Sequence, residues 1–211
     1  MPNWCSNSVT FWHDDEKELQ RLVDAYNSGR TMGAIWPCPD ELKIVAGCVG
    51  PPGSPEQVAL EAKQAENLAQ HGAKDWYDWC CDNWGTKWDF GRENDQDKAA
   101  VIETDAKGRK CVRLGFDTAW APPLGFYAHL HNELGFTVKA YYFEQGMGFC
   151  GIYTDDNDRL FKIEEFTQDW IGDNIPSSLC EAFNLFEEAA QQEEWAADRN
   201  TQANDCMSEN A

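Results

Sequence analysis

Lysine and arginine are scarce in this chain. They number 17 against 37 aspartates and glutamates, leaving a net charge of −20 and a pI near 4.4 over 211 residues. So acidic a surface repels nucleic acid and anionic membranes, because binding either requires phosphate charge to be neutralised, and it is drawn to basic surfaces. Paired metal-ligand spacing is also missing. The cysteines at 5, 38, 48, 80, 81, 111, 150, 180 and 206 contain no CxxC, their number is odd, and Cys80 and Cys81 are adjacent. That fits neither a zinc site, an iron–sulfur cluster nor a secreted disulfide framework. No apolar run approaches about 18 residues, so no membrane span is expected. The N-terminal MPNWCSNSVTFWHDD has no basic stretch ahead of an apolar one, so no secretory signal is expected. GxSxG, the P-loop and HExxH are absent. GMGFCG (146–151) precedes strand-forming residues instead of a helix start, so it fails as a phosphate loop. These absences predict a cytosolic protein with reduced thiols, no metal, no cofactor and no catalytic centre.

What is present reads as alternating strands and helices. SNSVTFWH (6–13) is a short run of β-formers. Asp14 or Asp15 then caps a helix whose Leu19, Leu22, Val23 and Tyr26 share one face, and Ser28-Gly29 ends it. Residues 31–53 are loop-like. Ser54, Pro55 and Gln57 form a capping signature ahead of a helix with a weak, alanine-dominated face. KDWYDWCCDNW continues as a second helical piece with Trp76, Cys80 and Trp84 on one side, stopped by Gly85. AAVIETD (99–105) and CVRLGFDTAW (111–120) predict a hairpin around AKGRK. Leu124, Tyr127, Ala128, His131 and Leu134 mark a helix ended by Gly135. FTVKAYYFEQ (136–145) is a strand, and MGFCGIYTD with RLFKIEEF is a further hairpin. The order predicts an α+β, ferredoxin-like βαββαβ antiparallel sheet with helices on one face. Residues 30–98 interrupt it as an insertion capping one end of the sheet. A C-terminal hairpin and an acidic helix follow (146–200), and the tail 201–211 is expected to be disordered.

Three strings, MPNWCSN (1–7), DNWGTKWD (82–89) and FDTAWAPP (116–123), resemble those of the YubB-type family of plasmid- and bacteriophage-encoded proteins. The resemblance spans residues 1 to about 165. It implies a ferredoxin-like domain, a bacterial or phage setting and cytoplasmic residence. It implies no activity and no catalytic residues, and it does not extend to the acidic C-terminal helix.

Two regions are candidates for function. In WYDWCCDNWGTKWDF (76–90), Trp84 and Trp88 around Lys87 could clamp a base or sugar and its phosphate. The alternative, which the density of rings and the neighbouring aspartates favour, is core packing at the end of the sheet, with Lys87 paired to Asp89 or Asp117. Asp117 and Trp120 sit where a strand exits into a helix, so any pocket is expected to be lined by Trp84, Lys87, Trp88, Asp117 and Trp120. The second region is the C-terminal helix. Its apolar stripe is Leu179, Phe183, Phe186 and Ala190, and its acids include Glu181, Glu187, Glu188, Glu193, Glu194 and Asp198. Residues 173–198 contain no lysine or arginine, whereas an ordinary solvated helix mixes Lys with Glu at i, i+4. From Asp155 onward there are fifteen acids and three bases. His129 and His131 fall on a helix, where they diverge and cannot share a metal. His13 and His71 have no partner in sequence. Carboxylates near Cys80 and Cys81 would raise their thiol pKa values.

The reading that emerges is an accessory protein without enzymatic activity. It would bind a basic surface on a host protein, a defence or DNA-processing factor, by imitating nucleic-acid charge. A small-molecule or nucleotide binder using the tryptophan pocket is the alternative. A nucleic-acid-binding sheet, suggested by fold analogy alone, ranks last.

Overall fold

Strand β1 (Trp4–Trp12) lies inside the sheet and pairs along almost its whole length on both sides. The computed structural model describes residues 3–94 and 98–195. The other strands are β2 (Glu103–Thr104), β3 (Lys110–Ala119), β4 (Thr137–Glu144), β5 (Phe149–Thr154) and β6 (Asn157–Lys162). Their spatial order is β2-β3-β1-β4-β5-β6, and every neighbouring pair is antiparallel. The helices are α1 (Glu16–Asn27), α2 (Thr31–Ile35), α3 (Pro55–His71), α4 (Trp76–Asn83), α5 (Leu124–Asn132), α6 (Gln168–Asn174), α7 (Ser177–Phe183) and a helical run, α8, over 185–195. β1, α1, the β2–β3 hairpin, α5 and β4 form the βαββαβ unit, so the fold is an elaborated ferredoxin-like α+β sheet.

Side chains alternate along a strand, so Cys5, Asn7, Val9 and Phe11 point to one face. The register places Phe11 opposite Val112 and Val138, and Val9 opposite Leu114 and Ala140. Leu19, Leu22, Val23 and Tyr26 of α1 and Phe126, Tyr127 and Leu130 of α5 bury this face. Asn7 is the polar exception within it. Its Nδ2 donates to the Cys5 carbonyl (2.8 Å) and to Thr118 Oγ1 (2.9 Å), and its Oδ1 accepts from the Tyr127 hydroxyl (3.1 Å). Burial pushes the Tyr127 hydroxyl well above its usual range, which keeps it a donor.

The opposite face is divided. Over β4 and β5, Tyr141, Phe143, Cys150 and Ile152 pack with Ile171, Leu179, Leu185 and Ala189 of the C-terminal helices. Over β1 and β3 the same face carries Ser8, Arg113, Gly115 and Asp117, all exposed. The sequence pattern places α1 and α5 on one face but gives no hint that α6 to α8 cover part of the other.

Three local expectations change. Residues 31–53 are not all loop: α2 forms there because Asp89, far along the chain, caps it, its carboxylate accepting from Met32 N (2.7 Å) and Gly33 N (2.8 Å). Burial raises the Asp89 pKa, opposed by these backbone donors. The strand expected over 99–105 shrinks to Glu103–Thr104. The single helix expected over 176–200 is broken at Asn184, which sits in the left-handed region (φ 50°). The break shifts the buried stripe from the expected Phe186 and Ala190 to Leu185 and Ala189. Residues 196–200 and the tail 201–211, with Asp198 and the expected disorder, lie outside the described residues.

The insertion joins the main core through Met32, Ile35, Leu42, Trp79 and Trp84. It is docked by a close approach of α4 to the start of α5, where Phe126 N donates to the Trp84 carbonyl (3.2 Å). A Cβ on Gly125 would run into the Asn83 carbonyl. Gly125→Ala is therefore expected to destabilise the protein by about 2 kcal/mol or more, read as a lower urea midpoint. An unchanged midpoint would mean that this contact is not a constraint.

Candidate binding surfaces

The chain enters the tryptophan-rich stretch through α4, whose N-cap Asp75 accepts from Tyr77 N (3.0 Å) and Asp78 N (3.3 Å). Trp79 and Trp84 then turn inward. Trp79 packs edge-on against both Trp36 and Trp84, with ring centroids 5.5 and 5.6 Å apart, and Trp84 Nε1 donates to the Trp36 carbonyl (3.0 Å). Trp84 is thus a core residue, its one polar atom satisfied inside the fold. Gly85 (φ 90°) reverses the chain against Pro122 and Leu124, where a Cβ would be crowded at 3.1–3.2 Å. Thr86 anchors the turn by donating to the Ala119 carbonyl (2.9 Å).

Lys87 and Trp88 emerge beyond that anchor. The Lys87 ammonium lies 3.7 Å from the Trp88 ring centroid and 3.9 Å from that of Trp120. Neither Asp89 nor Asp117 pairs with it. Asp89 caps α2, and Asp117 accepts from Ser6 Oγ (2.7 Å). Trp120 is held in the left-handed region (φ 68°), its N–H donating to the Asn3 carbonyl (2.9 Å). Trp4 packs on Trp88 with centroids 6.1 Å apart. Asn3 and Trp4, Lys87 and Trp88, and Trp120 come from the three strings quoted above. The strings therefore converge on one corner, joined by the lysine sandwich and by backbone hydrogen bonds.

A groove of about 700 Å³ opens beside this corner, along the outer edge of β3. Trp88 and Asp117 line it. Trp84, Lys87 and Trp120 do not, so the five expected residues divide between core, sandwich and groove. Its far wall is pinned to α1 and α2: Thr31 N donates to the Phe90 carbonyl and Arg92 N to the Tyr26 carbonyl, both at 2.9 Å. The Asn27 side chain clamps the Ala100 backbone through two bonds of 2.9 and 3.1 Å. The Phe90 ring lies flat on Phe116, centroids 3.6 Å apart, as part of the floor. The sequence reading missed this groove. The strand expected over 99–105 would have covered the β3 edge, and only the two-residue β2 of the fold leaves it open.

The second surface is the C-terminal layer. Glu164, Glu165, Asp169, Asp173, Glu181, Glu187, Glu188, Glu193 and Glu194 are all exposed, and 163–195 has no lysine or arginine. None of them forms an ion pair among the described residues. Glu193 has a structural task, accepting from Gln168 N (3.2 Å) at the start of α6.

The histidines and thiols have local roles. His129 stacks on Trp36 (4.1 Å), whereas His131 Nδ1 lies 2.8 Å from the Phe136 carbonyl and 3.4 Å from Asp155, so the two rings part company. Burial, before any neighbouring charge, pushes the Cys80 thiol up to about 12 and also raises Cys81. No group of three or more metal-ligating side chains gathers among the described residues. No helix among them is long and apolar enough to cross a membrane.

No family model matches the chain, and no curated protein matches it. Among solved structures it is similar to the crystal structure of protein api92 from Yersinia pseudotuberculosis, which carries the family description DUF1281. The TM-score is 0.41 with 9% identity, covering 79% of this chain and 100% of that one. At this TM-score the likeness carries no argument about the surfaces above.

The sandwich makes a prediction of its own. Lys87→Met keeps the chain's bulk but loses the charge between the two rings. It is expected to cost on the order of 1 kcal/mol, lowering the Tm by a few degrees, with Lys87→Arg retaining most of the stability. Equal Tm values for the methionine variant and the wild type would show that the ammonium contributes nothing.

Proposed function

We propose that this protein is a binding module whose acidic C-terminal layer engages a basic surface on another protein, of the kind that otherwise holds nucleic acid. The observation that carries the reading is the run of nine exposed acids over 164–194 with no basic residue and no ion pair among them. An exposed carboxylate face ordinarily mixes in lysines, which lower self-repulsion and add i, i+4 pairs. Leaving them out costs some stability and yields a one-signed field that steers a cationic partner. The layer has its own apolar core and is seated on the sheet, so α6 to α8 present their charges from a fixed platform. In the setting that the family resemblance implies, the partner belongs to a bacterial host and the encounter takes place in its cytoplasm.

The small-ligand alternative has less support. The faces of Trp88 and Trp120 that would receive a base already hold the Lys87 ammonium. A sheet that reads RNA by stacking needs exposed rings on its central strands. Here the outward positions of β1 and β3 between Trp4 and Trp12 are Ser6, Ser8, Thr10, Arg113, Gly115 and Asp117.

The test compares the wild type with a variant carrying Glu181→Gln, Glu187→Gln, Glu188→Gln and Glu194→Gln. Glu193 is left in place because it braces α6. Both are used as bait in a bacterial lysate at about 0.1 M and about 1 M salt, between which the Debye length falls from about 10 Å to about 3 Å. The wild type is expected to retain a nucleic-acid-binding protein at low salt and to release it at high salt or on adding duplex DNA, while the variant retains none. Capture of the same proteins in the same yield by both baits would contradict the proposal.

A further inference from the structure

Hydrogen bonds in an antiparallel pair alternate, so every second residue of a strand turns its N–H and C=O away from its partner. The phase on β3 is fixed from both ends. Trp120 N donates to the Asn3 carbonyl, continuing the β1–β3 register, and Asp105 N donates to the Arg109 carbonyl, continuing the β2–β3 register. Both bonds place Phe116 and Thr118 toward β1 and leave Arg113, Gly115, Asp117 and Ala119 facing outward. β2 covers only Lys110 and Cys111. Beyond them roughly 20 Å of strand edge, at about 3.4 Å per residue, faces the groove.

Two of the outward carbonyls are occupied: Gly115's accepts from the Tyr26 hydroxyl (3.4 Å) and Ala119's from Thr86 (2.9 Å). The Gly115 N–H and both backbone groups of Asp117 have no partner among the described residues. They line a groove of about 700 Å³ floored by Phe90, Leu114 and Phe116. An edge strand left bare beside an apolar floor is a template for an added strand.

We propose that this edge binds an extended peptide segment of another protein, which adds to the sheet beside β3 and carries small apolar side chains inward and a basic one opposite Asp117. Charge selects this occupant. The groove is lined by Asp89, Glu93, Glu103 and Asp117 against Lys98 and Arg113, and Arg113 is already paired with Glu103. A second copy of the chain would bring another charge of −20 to the same edge. Glycine at 115 leaves room on the outer face for a large side chain of the incoming strand. The site lies at the β3 edge, whereas the acidic layer covers β4 and β5, so the two bindings are independent.

The probe is a blocked heptapeptide of alternating valine and lysine, titrated into the ¹⁵N-labelled full chain. Its controls are the same sequence N-methylated on alternate amides and a valine–glutamate counterpart. The Val–Lys peptide is expected to shift the Gly115 and Asp117 amides and to bind roughly tenfold or more tightly than either control. Because the N-methylated peptide keeps the charge, attraction to residues 164–194 alone would not separate the two. Asp117→Lys is expected to reverse the ranking of the lysine and glutamate peptides, and the four-glutamine variant is expected to leave the affinity at β3 unchanged. The proposal is overturned by equal binding of the N-methylated peptide, by no shift at Gly115 and Asp117 at millimolar peptide, or by a ranking that Asp117→Lys leaves as it was.

Discussion

The structure depends on the register of β1. That strand is paired on both sides, so its alternation decides what every neighbour may present to each face. A slip of one residue would turn Ser6, Ser8 and Thr10 into the core and push Val9 and Phe11 out. Asn7 guards against the slip. Buried with Thr118 and Tyr127 as partners, it is satisfied in one register only, since an unpaired amide there would cost on the order of 1–3 kcal/mol. The same alternation sends Trp4 and Ser6 to the outer face, where they meet Trp88 and Asp117.

What happens at the two edges follows from that centre. On one side the chain extends the sheet by a hairpin and folds back as three helices over β4 and β5, which gives the acidic segment its platform. On the other side the sheet stops early. A two-residue β2 leaves most of the β3 edge unpaired by any strand, and the described residues of the insertion border the gap without filling it. The tryptophan corner sits between insertion and sheet, and Trp4 and Trp88, packed on each other, join it to the groove. The proposed surfaces thus lie one on a face of the sheet and one at its edge, on elements whose own positions are set by packing.

Much of the fold was legible because its signals are local. The face of α1, the Ser54 cap of α3, the hairpins and the order of strands can all be read from periodicity and turn residues. What was missed depended on distant partners or on single backbone choices. α2 exists because Asp89 caps it across the fold, and no local cap announces it. Asn184 looks like any polar helix residue until its left-handed conformation breaks the acidic helix and shifts the stripe. The candidate site divided the same way. The tryptophan string read mainly as architecture; Trp79 and Trp84 are buried, while Trp88 is exposed beside a groove that only the pairing of β2 with β3 could reveal.

Amide hydrogen exchange reads the open edge of β3 directly. Leu114, Phe116 and Thr118, bonded to β1, are expected to exchange slowly, while Gly115 and Asp117 exchange orders of magnitude faster in the free protein. Alternating protection along those five residues would establish an open edge of defined phase. Uniform slow exchange from 114 to 118 would mean that something already covers it, and the placement of the groove would be wrong.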